Sequence, residues 1–273
     1  MEISLLGMAL GAVVGSILAL AGAGGGILAV PLLVFGLHLT IMQAAPVGLI
    51  AVGAASAFGA VLGLREGLVR YRAAALIGIT GMLLAPLGVR LARLIPNQPL
   101  TVAFAIVLAW VAWRMFNQAR GSNGAPAEQA AAQMPCVLNP SEGRLIWTMP
   151  CAWALAGTGA VSGVLSGLLG VGGGFVIVPS LTRYTNLAVR SIFATSLAVI
   201  ALVSIGGVTA AAWQGAIAWN IAVPFAGGAI VALLAGRQIA ARLAGARLQQ
   251  GFAVTSAGVS ILLLARGLGW IPA

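Results

Sequence analysis

The chain has 273 residues, of which 61% are hydrophobic and 7% charged, and its mean hydropathy is +1.08. Soluble domains carry about a quarter charged residues, so a soluble enzyme, a secreted disulfide scaffold and a nucleic-acid-binding module are all excluded. The composition is that of an all-α integral membrane protein, and at about 20 residues per spanning helix the length holds about 8–10 membrane segments and no sizeable soluble domain.

The net charge of +10 arises from 14 basic residues, all arginine, against Glu2, Glu66, Glu128 and Glu142. The arginines punctuate apolar runs instead of clustering with stacking aromatics, which marks a membrane face and argues against a nucleic-acid partner. Glu2 stands where a signal peptide would carry its basic region, so the first apolar run is expected in the mature protein. Taken in chain order, the apolar runs cover residues 3–37, 41–64, 73–94, 100–116, 145–181, 189–213, 217–243 and 252–268. Most have the length of one span. The first and fifth are too long for that, and each carries a glycine cluster in its middle. Residues 117–143 form the one long polar stretch, expected to be a linker on the membrane surface. The expected division is therefore a first transmembrane repeat over 1–118, a cytoplasmic linker over 119–143 and a second repeat over 144–273.

Those two repeats are visible as an internal duplication. GSILALAGAGGGILAVPLLV, beginning at Gly15, aligns without gaps on GVLSGLLGVGGGFVIVPSLT, beginning at Gly163, an offset of 163 − 15 = 148. Gly22/Gly170, Gly24/Gly172, Gly25/Gly173, Gly26/Gly174 and Pro31/Pro179 match, and the register continues through Ser56/Ser204, Gly59/Gly207 and Gly67/Gly215. If each glycine-broken segment is re-entrant or a pair of short helices, the halves are inverted. Then Arg65, Arg70, Arg72, Arg114, Arg120, Arg144, Arg183, Arg190, Arg237, Arg242 and Arg247 share one face, leaving Arg90, Arg93 and Arg266 on the other. By the positive-inside rule that arrangement puts the linker in the cytoplasm and both termini outside.

Three glycines in succession cost helix propensity, about 1 kcal/mol each relative to alanine. A break at membrane depth needs its freed backbone groups satisfied by protein or by a water-lined cavity. Inverted repeats with broken helices at the midplane are a secondary-transporter pattern, and half-helices beginning near Gly26 and Gly174 would offer N–H groups to an anion. Gly22, Gly24, Gly25, Gly26, Gly170, Gly172, Gly173 and Gly174 are therefore the candidate substrate-binding residues. Close packing accounts better for Gly11/Gly15 and Gly159/Gly163. Thr195 and Ser196 either bond their own backbone or contact substrate. Pro31 and Pro179 are hinges or kinks. With no aspartate and no lysine in the chain and every glutamate outside the apolar runs, a buried proton relay, a cation site and a Walker-type phosphate loop lack their residues. His38 is a surface histidine or a coupling group. Cys136 and Cys151 show neither metal-ligand spacing nor an obvious pairing, so no metal and no cofactor is expected. Trp147, Trp213, Trp219 and Trp270 lie near run ends, as interface anchors do.

The paired motifs AGAGGGILAVPLL and LGVGGGFVIVPSL resemble those of the sulfite exporter TauE/SafE family of bacterial inner-membrane proteins. The similarity spans residues 8–118 and 155–268. It implies export of a small sulfur-containing anion such as sulfite, sulfoacetate or a related organosulfonate, with membrane lipid as the other partner. The family's TSL-like triplet is present as Thr195, Ser196 and Leu197, but the matching positions of the first copy hold Val47, Gly48 and Leu49. The alternative from another class is a non-transporting membrane scaffold or assembly factor. Oligomeric state is not legible.

Overall fold

The structure, a computed structural model, describes residues 2–120, 136, 138–139, 144–145, 148–243 and 246–268. Its elements are α1 (Glu2–Ala21), a 3-10 helix (Gly22–Leu28), α2 (Ala29–Gly36), α3 (Ile41–Arg65), α4 (Tyr71–Leu94), α5 (Asn97–Arg120), β1 (Leu138–Asn139), β2 (Arg144–Leu145), α6 (Met149–Leu169), α7 (Gly174–Tyr184), α8 (Val189–Trp213), α9 (Trp219–Leu243) and α10 (Ala246–Gly267). Among the described residues α3, α4, α6, α8 and the Trp219–Gly236 part of α9 are long and apolar enough to cross a membrane. Leu83 on α4 and Val231 on α9 are 71% and 68% exposed. Apolar side chains on that scale suit a lipid-facing surface and not a wet one.

Helix boundaries follow local chemistry. Thr40 caps α3 in a reciprocal box: its hydroxyl accepts the Gln43 N–H at 3.4 Å, and the Gln43 side chain accepts the Thr40 N–H at 3.2 Å. Thr148 caps α6 through the Cys151 N–H at 3.3 Å. The turns that end α3 and α8 both use a glycine at positive φ, Gly67 at +69 and Gly215 at +63, because a side chain is disfavoured there. The duplication reaches these boundaries. α3 begins at Ile41 and α8 at Val189 (189 − 41 = 148), and α4 begins at Tyr71 and α9 at Trp219 (219 − 71 = 148).

Packing directions are fixed by glycine contacts. Gly11 and Gly15 of α1 lie against Phe225 and Ala229, so α1 and α9 run parallel. Gly159, Gly163 and Gly167 of α6 lie against Ile77, Gly81 and Ala85, so α6 and α4 run parallel. These are close backbone approaches of the small-residue type, as expected for Gly11/Gly15 and Gly159/Gly163. Across the centre, Gly53 meets Ser204, Gly59 meets Leu197 and Gly63 meets Ala194, which makes α3 and α8 antiparallel. The equivalent pair α5 and α10 is antiparallel too, with Ser260 Oγ donating to Ala105 O at 2.8 Å and Gly267 against Val102.

The two glycine-broken segments fold back as helical hairpins. In the first, Gly25 packs on Ile17 and Gly36 on Leu10, so α2 returns along α1. In the second, a disulfide joins Cys136 to Cys151 near the start of α6, and the Cys136 N–H donates to Tyr184 O at the end of α7 at 3.1 Å. Both limbs of that hairpin therefore reach the same end of the molecule. The sequence shows no obvious pairing for these cysteines, and the fold supplies one: they stand 15 residues apart in sequence, with no spacing motif to reveal that the fold brings them together. Arg65, Arg70, Arg72, Arg114, Arg183 and Arg190 lie toward this Arg-rich end, and Arg90, Arg93 and Arg266 toward the other. Most of the expected linker over 119–143 lies outside the described residues, although β1 pairs antiparallel with β2 just beyond it.

Candidate functional site

The two hairpin tips converge on the middle of the α3/α8 pair. A Cβ built on Gly26 would stand 2.9 Å from Val52 Cγ1 and 3.1 Å from Val171 O, so the first tip touches both α3 and the second tip. A Cβ on Gly172 would stand 2.8 Å from Ile200 Cγ2 and 3.1 Å from Val52 Cγ1. Gly170 lies against the Ala45 backbone, and its carbonyl faces Gly48. Only glycine lets backbone approach backbone and side chain this closely. Since α7 has 11 residues, it rises about 16 Å. That is roughly half of a ~30 Å hydrocarbon core.

The two tips differ in conformation. Gly170, Gly172 and Gly173 have φ of +73, +71 and +70, so α6 ends and α7 begins through left-handed glycines. Gly22, Gly24, Gly25 and Gly26 instead belong to the 3-10 helix, and the half-helix expected near Gly26 starts at Ala29. Within each tip the glycines divide by neighbour. Gly25 faces Ile17 and Gly173 faces Ser162, each on the other limb of its own hairpin, whereas Gly26 and Gly172 face the centre. Gly174 is the first residue of α7, and the Val176 and Ile177 N–H groups return to Gly173 O at 3.0 and 3.2 Å.

The other singled-out residues stand apart from the tips. Thr195 Oγ1 accepts the Arg70 N–H at 3.0 Å, tying α8 to the turn before α4 at the Arg-rich end. Ser196 Oγ donates to Phe193 O within α8 at 2.9 Å, one turn before Ile200. Pro31 lies in the first turn of α2, where a missing N–H costs little, and Pro179 is interior to α7, where it removes a helical bond. His38 is exposed in the α2–α3 connection at φ +53. Three hydroxyls not singled out in sequence belong to the centre more closely. Ser56 and Ser204, one turn beyond Val52 and Ile200, and Ser166 near the end of α6 are buried with no hydrogen-bond partner. The match of Ser56 with Ser204 at the repeat offset was the one available signal. Such hydroxyls are costly to bury unpaired, and a polar ligand at the centre would satisfy them.

A cavity of about 570 Å³ opens at the Arg-poor end among α3, α4, α6 and α8. It runs from Met42 and Ala218 inward to Leu49 and Gly167. The Leu49 side chain rests on Gly207 and is almost fully buried, standing between the cavity and the Gly53–Ser204 contact one turn deeper.

Comparison with known proteins finds sequence relatives over nearly the whole chain. A family model described as sulfite exporter TauE/SafE matches residues 7–263. Two relatives from Xylella fastidiosa bear the name "Probable membrane transporter protein". The one from strain 9a5c is 28% identical over 260 residues, covering 94% of this chain and 93% of its own. The one from strain Temecula1 is 29% identical over 261 residues, with the same coverage. No solved structure matches the chain.

Proposed function

The chain belongs to the sulfite exporter TauE/SafE family, is thereby a multi-pass membrane transporter, and on that premise we propose that it exports a small sulfur-containing anion across the bacterial inner membrane. Sulfite, sulfoacetate and related organosulfonates are the substrate class. The observation that carries the reading is the meeting of the two glycine tips at the α3/α8 centre, beside the unpartnered hydroxyls of Ser56, Ser166 and Ser204. Backbone N–H groups at the start of α7, with the helix dipole behind them, favour a negative charge at that depth. In this reading Gly22, Gly24, Gly26, Gly170, Gly172 and Gly174 shape the site, Gly25 and Gly173 hold its limbs together, and Thr195 and Ser196 support it from the Arg-rich side.

The same reading takes residues 1–118 and 144–273 as inverted repeats, with the linker over 119–143 cytoplasmic. Its support is that counterpart helices run antiparallel, α3 to α8 and α5 to α10, while the arginines segregate to one end. No bond-making chemistry, metal or cofactor is invoked. The test is flux in proteoliposomes loaded with sulfite, sulfoacetate, sulfate or acetate. Protein-dependent efflux of the sulfur anions in preference to acetate is expected. Efflux equal to that of protein-free vesicles for every anion would overturn the proposal.

A further inference from the structure

The cavity at the Arg-poor end lies outside the glycine tips, and its lining has an uneven chemistry. Alanine, glycine and aliphatic side chains form most of the wall, and Arg93 at the end of α4 is the one charged residue among the described residues that line it. Among the described residues no carboxylate lines it; Glu66 sits at the opposite end, after α3. Arg93 Nη2 donates to Gln214 O at 2.9 Å, which pins the guanidinium to the turn after α8 at the cavity's edge. The other polar side chain in the wall is Gln43, whose carbonyl oxygen is committed to the Thr40 cap, so its amide nitrogen is the donor that remains.

We propose that this cavity is the outer vestibule of the permeation path and that Arg93, assisted by the Gln43 amide, binds the anion there. The inference rests on the transport reading and adds to it a second, asymmetric station: the position equivalent to Arg93 is Ala241 (93 + 148 = 241), so the second repeat does not duplicate this arginine in register. A planar guanidinium suits sulfonate and sulfite oxygens because two parallel N–H bonds match two oxygens. Arg93 is exposed at the cavity's edge, where water screens its charge, so the paired hydrogen-bond geometry carries the recognition more than a low dielectric does. Leu49, resting on Gly207, stands in the floor between the cavity and the Gly53–Ser204 contact.

The test uses the full-length protein with sulfoacetate as probe. In detergent, sulfoacetate should raise the unfolding temperature of the wild type, and Arg93→Gln should abolish that rise while Arg93→Lys retains part of it. In proteoliposomes of neutral phosphatidylcholine, Arg93→Gln should raise the KM for sulfoacetate about ten- to hundredfold, the loss expected for one charge-assisted hydrogen-bonding group, with the maximal rate kept. An unchanged KM and an unchanged thermal response in Arg93→Gln overturn the proposal. So does an equal loss of rate and stability in both variants, which would make Arg93 structural. An Arg93→Gln effect that emerges only when anionic lipid is added assigns the guanidinium to headgroups and also overturns it. An Arg93-dependent thermal response without any wild-type flux would keep the binding site and remove the transport reading instead.

Discussion

Gly173 and His38 both hold positive φ, +70 and +53, yet the surroundings give them opposite weight. A side chain on Gly173 would collide with Ser162 Oγ inside the second hairpin, while His38 is exposed in a connection and histidine tolerates the left-handed region better than most residues. Gly173→Ala should therefore cost about 1–3 kcal/mol from backbone strain alone, read as a lower unfolding temperature by tryptophan fluorescence. His38→Asn should leave both unfolding temperature and flux unchanged. A silent Gly173→Ala, or a His38→Asn that stops transport, would reverse this assignment. Thr195 shows what a triplet match cannot tell: its hydroxyl is committed to the Arg70 N–H, a partner 125 residues away in sequence that no local pattern announces.

Helices were legible where hydropathy and caps agree. The runs at 41–64 and 189–213 match α3 and α8 almost to the residue, because Thr40, Gly67 and Gly215 are local signals. Packing glycines were legible by spacing, but not the helix each one meets. The two GxGGG clusters read alike and fold differently, one as a 3-10 helix and one through left-handed glycines. Glycine permits both conformations at similar cost, so tertiary contacts decide. The vestibule was hidden for the same reason, being assembled from four helices far apart in sequence. Its floor makes a prediction at this scale. Leu49→Ala removes the side chain that rests on Gly207 and should raise passive downhill leak of sulfoacetate while leaving its KM unchanged. Efflux from loaded vesicles measures this, and a leak equal to wild type would place the closure elsewhere.

For the molecule as a whole, the arginine count and the disulfide pull in different directions. The end toward which Arg65, Arg70, Arg72, Arg114, Arg183 and Arg190 lie, among the described residues, should be cytoplasmic, and the Cys136–Cys151 bond sits at that end. Cytosolic thiols are kept reduced. The proposed orientation therefore requires the pair to be a dithiol in living cells and to close on oxidation, when a 15-residue loop adds roughly 3 kcal/mol of stability. Acid-quenched cells treated with a mass-tagged maleimide, without reductant, should show two tags per chain. No tags would mean that the linker faces an oxidising compartment and that the molecule stands the other way up.

The parallel pairing of α1 with α9 has a consequence for how the protein is made. The hairpin that emerges first from the ribosome rests not on its own half but on a helix that starts at Trp219, about 200 residues later (219 − 21 = 198). At bacterial synthesis rates of about 5–20 residues per second, that interval is roughly 10–40 s. During it, Gly11 and Gly15 present an open groove to lipid, and α4 waits in the same way for α6. Each half is thus an unfinished surface until its twin arrives, and assembly is an event of the completed chain.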